Sequence, residues 1–371
     1  MSHPHLGHLL ELFDPNNFPG DVFGKAISLQ VGGREFLCFG GRFLFHLLLQ
    51  SPKPDVLVEE IKDALATSET IRRLVKHEMR KLDPRTWARL IHNTLPNALF
   101  VDPNRGGVPA VCDLATYYFT HLGVAVQNIH PSRRSATPET TNDPTPDHLL
   151  RKTIPDLTME AKHRRSQVSL KELVRRRDGH LCPVTDWHIF SNNGDSDAPA
   201  ELAHIVPYSV QDKPATLAAI EKFSGGRVTA DYIFDRINTP KNCINLEHHA
   251  HRALDGFRWS IEANECKKGI TYTFHRVERP GRSLPPNIKR YDGERLRFSG
   301  QLSEGGELPG PDVRLCNLHL AVSRVMQASG AATVLSAIYR GDEAVKGAGT
   351  HLGQSSSTDS LFMAKLQIVA C

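Results

Sequence analysis

Paired cysteines are missing from this chain of 371 residues: the seven cysteines, at positions 38, 112, 182, 243, 266, 316 and 371, are odd in number and widely scattered. No two stand in C-x-x-C spacing, which argues against a zinc knuckle built on cysteine and predicts free thiols in a reducing compartment. Long hydrophobic runs are missing too. The most apolar stretch, 36–49, is broken by Gly40, Gly41, Arg42 and His46, and so interrupted a segment does not span a bilayer. The opening Met1-Ser2-His3-Pro4-His5, followed by Glu11 and Asp14, has no signal-peptide character. An intracellular protein of nucleus or cytoplasm, with no membrane partner, is expected. A strong charge of one sign is the third absence: 45 Lys and Arg against 41 Asp and Glu leave a net +4, too mild to indicate nucleic acid by itself. Nor does any segment repeat.

What is present is an ordinary folded composition. With 40% hydrophobic and 23% charged residues, wholesale disorder is excluded, and the length allows two domains. Residues 1–128 read as a hairpin followed by a helical region. The hairpin alternates over 26–39 around Gly32-Gly33. Helical spacing follows over 55–79, after Asp83-Pro84, and again over 108–125. No catalytic constellation stands out there. Residues 129–160, rich in Pro, Ser, Thr and Asp, predict a linker.

The segment 161–278 carries a basic amphipathic helix from Ser169, ended by Asp178-Gly179, then a strand ending at His204. After these come helices at 215–223 and 247–254 and a closing hairpin made from 259–261 and 270–277. Residues 279–312 read as a second, Pro/Gly-rich linker, and 313–371 as a last helix with a weakly patterned tail. That helix bears Leu318, Ala321, Val322 and Val325 as its apolar stripe.

Three residues organise the chemistry. His204 closes the apolar strand before Ile205, Val206 and Pro207; Asn242 is placed at the turn into the short helix; His251 lies within that helix. Phosphodiester hydrolysis needs a base for water, a cation for the added negative charge and a grip on the backbone. A neutral imidazole, with an ordinary pKa of about 6.5, suits the first need, and His204 is the candidate base. His251 and Asp255 stand at i and i+4 on one helix face and converge on one divalent cation (Mg, Mn or Zn). Asn242 fixes the loop or binds the metal through its oxygen. Lys171, Arg175, Arg176 and Arg177 crowd the helix before the motif and are the candidate phosphate contacts.

The order of these motifs resembles the HNH endonuclease family, in particular the variant common in fungal proteins. The matching residues are Arg177-Asp178-Gly179, Cys182-Pro183-Val184-Thr185, Ala203 to Pro207, Asn242 to Leu246, and His251, Asp255, Gly256, Trp259 and Ile261. They cover about 170–262, roughly a quarter of the chain. The resemblance implies a ββα-metal fold, divalent-metal-dependent cleavage of nucleic acid, His204 as general base, and His251 with Asp255 near the metal; an α+β protein acting on DNA is expected. Many members place a metal-binding Asp or His directly before the base, where this chain has Ala203. Glu201, of the same strand parity, is the candidate substitute ligand.

That departure keeps a second expectation open: a scaffold of weak or no activity that binds nucleic acid or another protein. Each residue also has a plainer role. His204 is then a buried histidine, Asn242 a helix cap, and the arginines a solvated helix face. His248 competes with His251 as the ligand. A peptidase pair of Cys243 with His249 lacks any third, orienting group.

Overall fold

The structure is a computed structural model, which describes residues 27–31, 34–38, 40–66, 114–124, 126, 149, 151–164, 166–190, 198–267, 269–277, 283–298, 308–333, 335 and 336. The helix expected after Asp83-Pro84, the end of the one expected over 55–79, and the tail beyond 336 lie outside these residues. The chain divides into two compact units. One takes Met1–Val124, Lys222–Gly226 and Arg324–Cys371, and the other takes Ala125–Glu221 and Arg227–Ser323.

In the first unit, β1 (Ile27–Val31) and β2 (Arg34–Cys38) pair antiparallel, with Val31 opposite Arg34. This pairing is the hairpin expected over 26–39, whose residues 32 and 33 lie outside the described residues. Helix α1 (Gly40–Gln50) buries Phe43, Leu44, Leu47 and Leu48, a spacing that makes one apolar stripe. Helix α2 (Asp55–Ala66) buries Leu57, Val58 and Ile61. The helical stretch at 114–124 ends in a π-helical turn, Phe119–Val124. Phe119 meets Phe43 edge to face at 6.0 Å. Glu60 accepts hydrogen bonds from the buried Tyr118 hydroxyl and from Lys222.

The second unit holds the candidate site. Helices α3 (Ile154–Arg164) and α4 (Gln167–Asp178) pack together. Leu149, Leu157, Ala161, Leu170, Leu173, Val174, Cys243 and Leu308 form their common core, each large side chain contributing about 1.5–3 kcal/mol of transfer free energy. Helix α3 takes up 154–160 of the linker expected over 129–160, of which 129–148 lie outside the described residues. Pro155 sits in its first turn, where a missing N–H costs nothing. Thr153 and Asp156 cap it reciprocally: Asp156 N–H donates to Thr153 Oγ1 (3.3 Å) and Thr153 N–H to Asp156 Oδ2 (3.4 Å). Helix α4 starts at its cap Ser166, which accepts from Ser169 N–H at 3.2 Å. It stops at Gly179, whose φ of 83° few other residues adopt.

Strands β3 (Glu201–His204) and β4 (Cys243–Leu246) pair antiparallel, with Glu201 opposite Leu246 and His204 opposite Cys243. Between them run a 3-10 turn (Tyr208–Asp212), α5 (Pro214–Phe223), α6 (Ala230–Phe234) and a second 3-10 turn (Pro240–Asn242). Helix α7 (His248–Asp255) follows β4 directly, completing a strand-strand-helix unit. A three-stranded antiparallel sheet comes next, in order β5 (Trp259–Cys266), β6 (Gly269–Arg276) and β7 (Arg295–Leu296). The linker expected over 279–312 is thus partly sheet and core, since Leu284, Ile288, Leu296 and Leu308 are buried.

The last helix, α8, spans Val313–Ser329. In the second unit its Asn317 brackets Ala263, accepting from the N–H at 2.9 Å and donating to the carbonyl at 2.8 Å. Cys182, Cys243, Cys266 and Cys316 are free thiols. Among the described residues no helix is long and apolar enough to cross a membrane.

Candidate active site

Glu201 opens β3, and its carboxylate reaches across to α7. Oε2 lies 2.8 Å from Nδ1 of His251, and Oε1 lies 2.9 Å from Nδ1 of His248. The other ring nitrogen of His251 lies 3.5 Å from Oδ2 of Asp255. One helix turn separates His251 from Asp255, so the imidazole stands between two carboxylates, one from the sheet and one from its own helix. Burial would raise the pKa of Glu201, but the hydrogen bonds from His251 and His248 outweigh it and hold the carboxyl at about 2. Asp255 is pushed up to about 6 by burial, with Glu201 adding to the rise and His251 opposing it.

The helix bearing these groups is fixed at both ends. Glu247, itself buried, is the N-cap: its carboxylate accepts from Ala250 N–H (2.6 Å) and His249 N–H (2.9 Å). It also accepts from Asn287 Nδ2 at 2.7 Å. Trp259 Nε1 donates to the carbonyl of Ala250 at 2.9 Å, and its ring stacks on Phe274. Past the helix, Phe257 takes the left-handed backbone (φ 57°) while Gly256 does not. Gly256 serves close approach instead, since a Cβ there would stand 3.2 Å from the carbonyl of Arg252.

Asn242 does not stand at the turn into the helix. It ends a 3-10 turn and leads into strand β4, while Glu247 opens the helix. Its buried amide grips the chain just past His204: Oδ1 accepts from Val206 N–H at 2.9 Å, and Nδ2 donates to the Val206 carbonyl at 2.8 Å. Nδ2 also donates to the Ile237 carbonyl at 3.2 Å, and the carbonyl of Asn242 accepts from Ile205 N–H at 2.8 Å. So the amide ties the end of β3 to the start of β4.

His204 is the last residue of β3, buried, with its ring 6.5 Å from that of Tyr208. Strand alternation gives it the parity of Leu202, opposite to that of Glu201. Ala203 is fully buried and offers no donor atom. The structure therefore joins Glu201, His248, His251 and Asp255 into one cluster and puts His204 and Asn242 at the adjoining strand ends.

Two expectations change in this light. Glu201, the expected substitute ligand, faces the Nδ1 side of His251, whereas Asp255 faces the Nε2 side. It holds the imidazoles and does not complete a ligand set. Among the described residues no group of three or more His, Cys, Asp or Glu side chains is arranged to hold a metal ion.

The basic residues of α4 are turned to structural work. Arg177 has no exposed surface. It pairs with Asp178 at 2.6 Å and donates to the carbonyls of Pro240 (2.5 Å) and Cys243 (2.9 Å). Arg175 and Arg176 both bind Glu172, at 2.7 and 2.8 Å. Arg176 also donates to the carbonyls of Lys152 and Leu149, and Lys171 to that of Ala200 at 2.5 Å. Contacts that hold the α4 face to its neighbours leave it poorly placed to neutralise a polyanion, contrary to the expectation from charge density.

Cys243 is fully buried, and burial pushes its thiol pKa well above the usual range, which removes it as a nucleophile. The sequence reading missed the doubly engaged carboxylate of Glu201. Its available signal was the pair His248 and His251 at i and i+3, opposite a glutamate of the right strand parity.

Residues 182–262 match the family model described as HNH endonuclease. No curated protein and no solved structure matches the chain.

Proposed function

We propose, from the match of residues 182–262 to the HNH endonuclease family, that the protein is a metal-dependent endonuclease hydrolysing phosphodiester bonds of nucleic acid, with DNA as substrate. The observation that carries this reading is the line Glu201–His251–Asp255, at 2.8 and 3.5 Å. By accepting the Nδ1 proton, Glu201 leaves the lone pair of His251 on Nε2, beside Asp255. An imidazole nitrogen and a carboxylate oxygen are donors that a divalent Mg, Mn or Zn ion accepts. Their spacing is near the roughly 3 Å between neighbouring donors on an ion with bonds of about 2.1 Å. When bound, the ion supplies charge stabilisation at the attacked phosphate.

The chain's own residues do the rest. His204 takes the proton of the attacking water. Asn242, through both backbone groups of Val206, keeps the end of β3 still. Glu201 fixes the tautomer and aim of His251. One observation favours the second reading, a scaffold that binds without turnover: among the described residues His251 and Asp255 are the protein donors on that side, with none from Ala203.

Nicking of supercoiled plasmid in Mg or Mn separates the readings. The endonuclease reading expects nicking that chelator abolishes and that His204→Ala eliminates without changing the circular dichroism of the fold. Retained DNA binding with no nicking by the wild-type chain under either ion would establish the second reading instead.

A further inference from the structure

The two imidazoles on Glu201 are turned the same way, with Nδ1 toward the carboxylate and Nε2 away from it. Their surroundings differ. The side chain of His251 is 8% exposed and its outer nitrogen faces Asp255, whereas that of His248 is 47% exposed. Arg252 is exposed as well and lies one turn along α7 from His248, on the same strip of the helix. We infer that His248 and Arg252 form the grip by which the site holds the phosphate backbone beside the scissile bond, an inference that rests on the nucleic-acid reading above.

Three observations support the assignment. The carboxylate fixes the ring of His248, so when both ring nitrogens carry protons the Nε2–H donates to a phosphate oxygen without the ring first having to be ordered. Arg252 brings a fork of N–H donors matched to phosphate. The competing cationic surface, on α4, is engaged internally: Arg177 is buried and Arg175, Arg176 and Lys171 bind Glu172 or backbone carbonyls. The strip of α7 stands directly beside His251 and Asp255. It contacts backbone rather than base edges, so it holds substrate without selecting sequence.

The test uses the full chain and a fluorescent DNA duplex in chelator, where binding is read without turnover. His248→Ala with Arg252→Ala is expected to weaken binding about tenfold and to lower the slope of log affinity against log salt by roughly one to two, since each neutralised phosphate contributes about 0.9. His248→Gln, which keeps a donor at similar reach, is expected to retain most of the affinity. In Mn, the double variant should raise KM while kcat stays within about threefold, a pattern of lost substrate binding.

Unchanged affinity and salt slope in the double variant overturn the grip, even if the wild-type chain cleaves. So does a loss confined to kcat. Weakened binding in the double variant, with a wild-type chain that binds but never cleaves, leaves the grip standing and removes the endonuclease reading. A wild-type chain with no measurable DNA affinity removes both.

Discussion

Helices α4 and α7 both lie beside the β3–β4 pair and both are dense in ionisable residues, yet their charges go to opposite uses. On α4, Arg177 is sealed in the core with Asp178, and its guanidinium ties the helix to Pro240 and Cys243. On α7, the buried His251 and the half-buried Asp255 sit at a carboxylate from the neighbouring strand, while His248 and Arg252 are exposed. Charge density along a sequence thus says little about where charge acts. What decides is whether backbone carbonyls and counter-charges from distant segments close around each group.

The largest expected effect lies on the α4 side. Arg177→Ala leaves Asp178 buried without its partner and two carbonyls without their donor, and should cost about 3–5 kcal/mol in denaturant unfolding. Arg252→Ala should stay within about 0.5 kcal/mol of wild type. Equal losses in the two variants would erase the distinction between the helices.

A second contrast sharpens the first. His319 on α8 is another buried imidazole of the same unit, but its partners are hydroxyls: Ser260 Oγ at 2.8 Å and Ser323 Oγ at 3.4 Å from Nδ1. Burial lowers its pKa from the ordinary 6.5 to about 4. Because the folded chain resists the proton that the unfolded chain accepts, the stability owed to neutral His319 is complete above pH 6.5. It is lost progressively as the pH falls toward 4. At about 1.36 kcal/mol per pKa unit, the loss reaches roughly 3 kcal/mol at the acid end. Unfolding measured across that range should show the slope, and His319→Gln should flatten it. An undiminished slope in the variant would assign the effect to other groups.

Much of the architecture was legible because its signals are local. The alternation over 26–39 marks the first hairpin, Gly179 ends α4 as expected (although the helix starts at its cap Ser166 and not at Ser169), and the i, i+4 pair His251 and Asp255 shares one face of α7. The helix α3 was hidden by its composition, because a proline that reads as linker also suits a first helical turn. Asn242 was misplaced because the short run from Cys243 to Leu246 is buried throughout, and so uniform a run carries no period to mark it as strand. The fate of Arg177 was out of reach, since its acceptors Pro240 and Cys243 stand 63 and 66 residues away. Glu201 was visible as a glutamate of the right parity, but its two imidazole partners follow from the β3–α7 packing alone.

The most direct test of the site is a calorimetric titration of the full chain with Mn in the wild type and in Asp255→Asn. One saturable ion per wild-type chain and loss of that binding in the variant are expected, with Glu201→Gln weakening it by about 10–100-fold. Wild-type-strength binding in Asp255→Asn, or no saturable binding in the wild-type chain, would contradict that expectation.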